Sequence, residues 1–264
     1  MLHRLFFFSF ISMVLLIIAI PILYLGYEGS LGRFSNPSIM FSMTLLESIL
    51  LTMISSAIAT TISLVLGAPV AYYLARYSFR GKGVVEVLID LPTSVPHPMI
   101  GISILLIAGP IGPLAPILRY VGVDNITYSF LALVLALIIV SMPIMIKSLA
   151  NSFRSMDIEP EIAAITLGVN RVRVFLEIVL PMSIRSIMNS YAITLARSIS
   201  EFGAIGIVAY YVLTPPFQGV KPASVIIWDL FESMGIAPAV SASAALLLLS
   251  FIVLVGIRIS EKRS

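Results

Sequence analysis

Long apolar stretches alternate with short polar ones along this chain. The apolar runs cover about residues 5–24, 45–74, 87–108, 126–146, 178–211 and 237–257. A spanning helix takes roughly 20 mostly apolar residues, so the pattern predicts about six transmembrane helices. The expected fold is an all-α polytopic membrane protein in which residues 1–264 make one transmembrane domain.

The interruptions carry as much information as the runs. The first run follows a basic start and is expected to be a retained span, because it exceeds the core of a signal peptide and no Ala-x-Ala-like site follows it. The second is longer than a bilayer requires and ends at Arg76-Tyr77-Ser78-Phe79-Arg80-Gly81-Lys82, a basic turn. The third contains Leu91-Pro92-Thr93-Ser94-Val95-Pro96-His97-Pro98, where three prolines each remove a backbone donor. A break is expected there, and broken backbone at membrane depth is tolerated only inside protein or beside water. Asp124-Asn125 reads as the start of the fourth helix. Residues 147–177 form the longest polar region and still alternate at helical spacing, which predicts short helices outside the bilayer.

Charge then orients the chain. Arg4, Arg76, Arg80, Lys82, Lys147, Arg154, Arg171, Arg173, Arg185, Arg258, Lys262 and Arg263 fall on one side, against Arg33, Arg119 and Lys221 on the other; Arg197 lies within a span. By the positive-inside rule both termini and the 147–177 loop are expected in the cytoplasm, which also requires an even number of spans. The chain is 59% hydrophobic and 11% charged, leaving little room for a folded soluble domain. The absence of cysteine excludes disulfides and thiolate chemistry. No Gly-Lys-Ser/Thr phosphate loop occurs, so ATP is not expected to bind this chain.

The cytoplasmic loop contains Asp157-Ile158-Glu159-Pro160-Glu161-Ile162-Ala163-Ala164-Ile165-Thr166-Leu167-Gly168 and, after nine further residues, Ile178-Val179-Leu180-Pro181. Acids at a helix start suit the dipole, Pro160 suits a first turn and Gly168 a helix end. Taken alone, these features describe an ordinary solvated loop helix. Their spacing, however, resembles the permease subunits of ABC importers, whose loop reads Glu-Ala-Ala, three residues, Gly, nine residues, Ile-x-Leu-Pro. Ala163 to Pro181 match this spacing, while Ile162 stands at the Glu position and Glu161 lies one residue earlier. The resemblance implies a type I ABC importer-like fold with a cytoplasmic coupling helix, in which Glu161, Ala163, Ala164 and Gly168 serve coupling to an ATPase.

Ser200-Glu201-Phe202-Gly203-Ala204 is similar to the Gly-Glu-Phe-Gly-Ala run of molybdate, tungstate and sulfate permeases, with Ser200 replacing the first Gly. Gly67-Ala68-Pro69-Val70-Ala71-Tyr72-Tyr73-Leu74-Ala75-Arg76 and the Pro-rich third run resemble that subgroup as well. The implied function is import of molybdate or tungstate, with sulfate, thiosulfate or another small solute as the alternative. The implied partners are a second copy of the chain, two ABC ATPase subunits carrying ATP and Mg²⁺, an extracytoplasmic oxyanion-binding protein and membrane lipid; no nucleic acid is expected. Neither a catalytic residue nor a metal site nor a cofactor on this chain is implied.

Polar residues at Ser190, Thr194, Arg197 and Glu201 share one helical face, and Arg197 and Glu201 can pair at i,i+4. This face admits two readings, a buried ion pair that fixes packing and a translocation path or gate. Thr93, Ser94, Ser190, Thr194 and Ser198 are candidates for lining a path of hydroxyls, with Arg197 and Glu201 supporting a gate. His97, with only His3 as a second histidine, is expected to be structural, since the sequence shows no chain of titratable partners. An ion-gradient-driven transporter would need intramembrane acids, for which Glu47, Asp90 and Glu201 are the candidates, and no internal repeat supports it.

Overall fold

The computed structural model describes the backbone of residues 2–263 and the side chains of residues 6–257 and 259. The side chains of Arg4, Arg258, Lys262 and Arg263, four of the charges used for orientation, therefore lie outside the described residues. Helix α1 (Leu2–Ser30) and the single turn α2 (Pro37–Met40) precede α3 (Met43–Arg76). After the basic turn come α4 (Lys82–Ser94), α5 (His97–Ala108) and α6 (Ala115–Tyr120). Helix α7 (Phe130–Ser155) leads to α8 (Glu159–Thr166) and α9 (Arg171–Val174). A π-helical turn at Phe175–Val179 joins α10 (Leu180–Met182), α11 (Ile184–Ile199) and α12 (Gly203–Val208), and α13 (Ala223–Met234) and α14 (Ile236–Arg263) end the chain.

Among the described residues, four helices are long and apolar enough to cross a membrane uninterrupted: Phe6–Ser30, Met43–Arg76, Phe130–Ser155 and Ile236–Ile257. The third and fifth runs are both interrupted, which is where the structure departs from six simple spans. Lys82–Ser94 and His97–Ala108 meet at an angle of 108°. Pro92 is accommodated inside α4, and the corner falls at Val95 and Pro96, where Pro96 holds the preceding Val95 in an extended conformation. In the fifth run α11 has 16 residues, about 24 Å at ~1.5 Å per residue, short of a ~30 Å hydrocarbon core. It stops where Glu201 turns its carboxylate onto the Ala204 amide at 2.9 Å.

Two boundaries and one element differ from expectation. The fourth helix starts at Phe130, not at Asp124-Asn125, because Ser129 Oγ caps it by accepting from Ala132 N at 3.0 Å. Asn125 instead accepts from Thr127 N at 2.9 Å, closing an Asx turn. At its other end α7 runs to Ser155, so it takes the first nine residues of the polar stretch. The amphipathic helix α13, lying just before the last span, was not anticipated.

The scaffold is the α3–α7 pair, which make the most extensive contact in the chain. Small residues allow it: a Cβ on Gly67 would stand 3.1 Å from Ile146 Cγ1. One apolar cluster joins Leu51, Ile104, Leu133, Leu137, Ala204 and Ile205, and a second joins Tyr72, Met145, Leu149, Phe153, Val174 and Val179. Helix α1 packs on α14, where a Cβ on Gly29 would come within 2.5 Å of Val240 O.

Candidate functional site

The loop helix α8 begins with Pro160 in its first turn and with Asp157 Oδ1 accepting from Glu159 N at 3.1 Å. It ends in a Schellman motif, with Gly168 N donating to Ile165 O at 2.9 Å and Val169 N to Ala164 O at 3.1 Å. Gly168 has φ +86°, the left-handed conformation that this cap requires. Both helix-end signals thus work as the sequence suggested.

Glu161 does not face solvent. It is 3% exposed and accepts from Tyr72 Oη at 2.8 Å, Arg76 Nε at 2.9 Å and Arg76 Nη2 at 2.5 Å. Both Arg76 nitrogens converge on Glu161 Oε1 while Tyr72 takes Oε2, so both carboxylate oxygens are used and the bonds from Arg76 are charge-assisted. Glu161 therefore anchors α8 to the end of α3 from within. Ala164 is buried beside it, whereas Ala163 and Gly168 are exposed. The outer face is apolar instead: Ile162 is 53% and Leu167 84% exposed, next to exposed Ile158 and Ile165.

The two broken spans meet each other. His97 opens α5 and Glu201 sits in the gap between α11 and α12. Glu201, 1% exposed, lies 2.9 Å from His97 Nδ1 and 2.8 Å from Arg197 Nη2 through the same oxygen, Oε2. Its Oε1 accepts from Ala204 N, and its backbone carbonyl accepts from Ser224 Oγ at 2.8 Å. Arg197 Nη2 also stands 2.8 Å from His97 Nδ1. The corners are pressed together, since a Cβ on Gly203 would lie 2.9 Å from His97 Cβ and one on Gly101 2.6 Å from Ala204 O. His97 therefore has charged partners after all; they come from a segment about a hundred residues away, which spacing along the chain could not reveal.

The hydroxyl stripe divides. Ser190, Thr194 and Ser198 are buried within the chain itself. Ser190 Oγ is 2.8 Å from Ser148 Oγ, and Thr194 Oγ1 donates to Ser190 O at 2.8 Å, facing Met145 of α7. Within this chain Ser190 and Thr194 turn onto α7 rather than to water, and Ser198 Oγ is buried without a hydrogen-bond partner among the described residues. Thr93 and Ser94 are exposed at the end of α4, each donating to Asp90 O. Arg197 and His97 are partly exposed. Tyr72 and Arg76, the receivers of Glu161, were missed as functional residues; their i,i+4 spacing at the end of a span was the available signal.

The family described as "binding-protein-dependent transport system inner membrane component" matches residues 63–264, a stretch that holds both constellations. This chain belongs to that family. A molybdate/tungstate transport system permease protein, WtpB of Methanocaldococcus jannaschii, is 35% identical over 243 residues, covering 91% of this chain and 90% of the relative. A molybdenum transport system permease protein, ModB of Azotobacter vinelandii, is 27% identical over 217 residues, covering 82% and 94%. Among solved structures, the bacterial alginate ABC transporter in complex with an alginate pentasaccharide-bound periplasmic protein has a chain of the same fold. That match has a TM-score of 0.73 at 14% identity and covers 98% of this chain and 94% of the other. The chain is thus a multi-pass permease component and not an enzyme. In the permease, α8 is a short helix fixed by a buried acid and offering an apolar face, and the paired breaks lie at the far end of the same α3–α7 scaffold.

Proposed function

We propose that this permease forms the passage for molybdate or tungstate in an ATP-driven importer. It does so as a homodimer, with residues 1–264 acting as one transmembrane domain and both termini in the cytoplasm. Two separate ATPase subunits hold ATP and Mg²⁺ and receive the exposed apolar face of α8, and an extracytoplasmic binding protein delivers the anion. The observation that carries this reading is the internal anchor of Glu161 on Tyr72 and Arg76. It makes α8 rigid with α3, so that force applied to the Ile158–Ile162–Ile165 face moves a membrane-crossing helix rather than a loop. The likeness to proteins named as molybdate/tungstate permeases supports the substrate.

The passage runs along the faces where the breaks reach the surface. Thr93 and Ser94 contribute hydroxyls, and Arg197 is held by Glu201, so its field is largely cancelled. A weakly charged passage releases its anion, as conduction requires. Ser190, Thr194 and Ser198 support the wall from behind.

The test is ATP-dependent uptake of molybdate into vesicles holding the whole complex, with tungstate and sulfate as competitors. The expected result is uptake that requires the ATPase and is suppressed by tungstate. Uptake by this chain alone would refute the ATP-driven reading, and stronger competition by sulfate than by tungstate would refute the substrate.

A further inference from the structure

Beside the anchor of α8, two cavities of about 580 and 550 Å³ adjoin on the outer surface of the chain and share Pro69, Phe175 and Leu176. The first is closed at its head by Tyr73, Tyr77 and Arg171. The second continues along α3 past Ala68 and Val65 to Leu64, with Leu180, Ile184 and Ile187 opposite. From residue 77 to residue 64 is about 20 Å along a helix, slightly more than one leaflet of a ~30 Å hydrocarbon core. The groove is therefore apolar for the depth of a leaflet and cationic at one end.

We infer that this groove binds an anionic phospholipid of the cytoplasmic leaflet, its phosphate on Arg171 and one hydrocarbon chain between α3 and the π-helical turn. The orientation of the chain proposed above is assumed. Two observations and one general rule favour a lipid over a protein occupant. Charge is confined to the head: Arg171 Nη1 donates to Tyr77 Oη at 2.5 Å, and the guanidinium lies 5.2 Å from the Tyr77 ring centre, leaving further N–H groups for a phosphate. The Tyr77 hydrogen bond holds the Arg171 pKa above its ordinary value, which favours the charged form that a guanidinium already takes. The aromatic rings of Tyr73, Tyr77 and Phe79 pack together at the end of the α3 span, the place where aromatic side chains meet headgroups. Finally, basic pockets between transmembrane helices on the cytoplasmic side are a recurrent headgroup site.

The position has a functional consequence. Phe175, on the groove floor, packs against Tyr72 with ring centres 5.0 Å apart and the rings tilted by 36°, and Tyr72 holds Glu161. A lipid chain seated on Phe175 stiffens the anchor of α8, so ATP-driven transport depends on anionic lipid.

Native mass spectrometry of the purified whole complex, incubated with dioleoylphosphatidylglycerol or dioleoylphosphatidylcholine, tests this. The expected result is retention of the anionic lipid over the zwitterionic one. Arg171→Gln should weaken that retention about fivefold, the value of one cationic side chain near a lipid surface. Leu176→Trp, which fills the groove without changing charge, should displace the lipid and keeps the test open if the first variant assembles poorly. Unchanged retention in both variants overturns the inference, as does displacement of the lipid by inorganic phosphate alone. The chain has no cysteine, so Leu176→Cys can carry a single photocrosslinker; crosslinks to the ATPase or to a second copy instead of lipid also overturn it. Labelling of that cysteine from outside the cell would refute the orientation, a result independent of lipid retention.

Discussion

Replacing Glu161 by Ala isolates the anchor of α8. The substitution leaves the Arg76 guanidinium, whose side chain is 9% exposed, without its carboxylate. Removing one partner of a buried pair costs about 3–5 kcal/mol, or about three orders of magnitude in the ratio of docked to undocked α8. Glu161→Gln keeps one acceptor oxygen, enough for Arg76, sets an NH2 group against Tyr72 Oη and loses the charge, a change of about 1.5–3 kcal/mol. Tyr72→Phe removes one hydrogen bond to a charged acceptor, at the lower end of that range. The three variants should form a graded series. Hydrogen exchange over residues 159–166 in the assembled complex reads the docking directly, while uptake and ATP hydrolysis read its consequence. The expected outcome is loss of protection in the order Ala, Gln, Phe, with uptake falling in parallel while ATP hydrolysis persists. Replacing the pair together, Arg76→Met with Glu161→Leu, should restore part of the protection, because no buried charge is then stranded. Unchanged protection and normal uptake in Glu161→Ala would refute the argument that this acid couples α8 to α3.

Other substitutions test the remaining features. Gly203→Ala places a Cβ 2.9 Å from His97 Cβ; it should separate the two corners at a cost of about 1–3 kcal/mol, seen as a lower thermal midpoint and altered uptake. Gly168→Ala meets no neighbour but must hold φ +86°, so it should loosen the end of α8 by about 1 kcal/mol, measured as faster exchange at Ala164 to Thr166. Ile162→Asp charges the outer face and leaves the anchor intact; it should abolish co-purification of the ATPase without changing exchange in α8. Ser190→Val with Thr194→Val removes the bond to Ser148, and lowers thermal stability by about 1–3 kcal/mol; loss of uptake with no change in stability would show instead that these hydroxyls touch the anion.

The parts of the fold that depend on local chemistry were legible in the sequence. Pro92, Pro96 and Pro98 announced a break, and acids, Pro160 and Gly168 marked both ends of α8, because prolines and caps act within a few residues. What escaped was the direction in which side chains point. Ser190, Thr194, Arg197 and Glu201 formed a visible stripe, but only the packing of α11 on α7 decides that its Ser190 and Thr194 are interior. His97 looked solitary because Glu201 and Arg197 reach it across a tertiary contact. Helix α13 was hidden for a different reason: it is too short to span, and it follows a turn-rich segment that carries no apolar period of its own.

The displacement of the acid from position 162 to 161 illustrates how a single step in sequence reassigns a role. Successive residues on an α-helix are about 100° apart, so an acid at 162 would share the outer face with Ile158 and Ile165. At 161 it turns inward and reaches Tyr72 and Arg76, which face it from the last two turns of α3. The outer face is then left to Ile162 and is apolar, the face proposed above to receive the ATPase. The buried anchor and the exposed apolar face thereby lie on opposite sides of one eight-residue helix. Because the inward side joins α3 and α3 packs along α7, a displacement of α8 has a continuous packed route to the region where α7 and α5 hold α12 and the gap at Glu201.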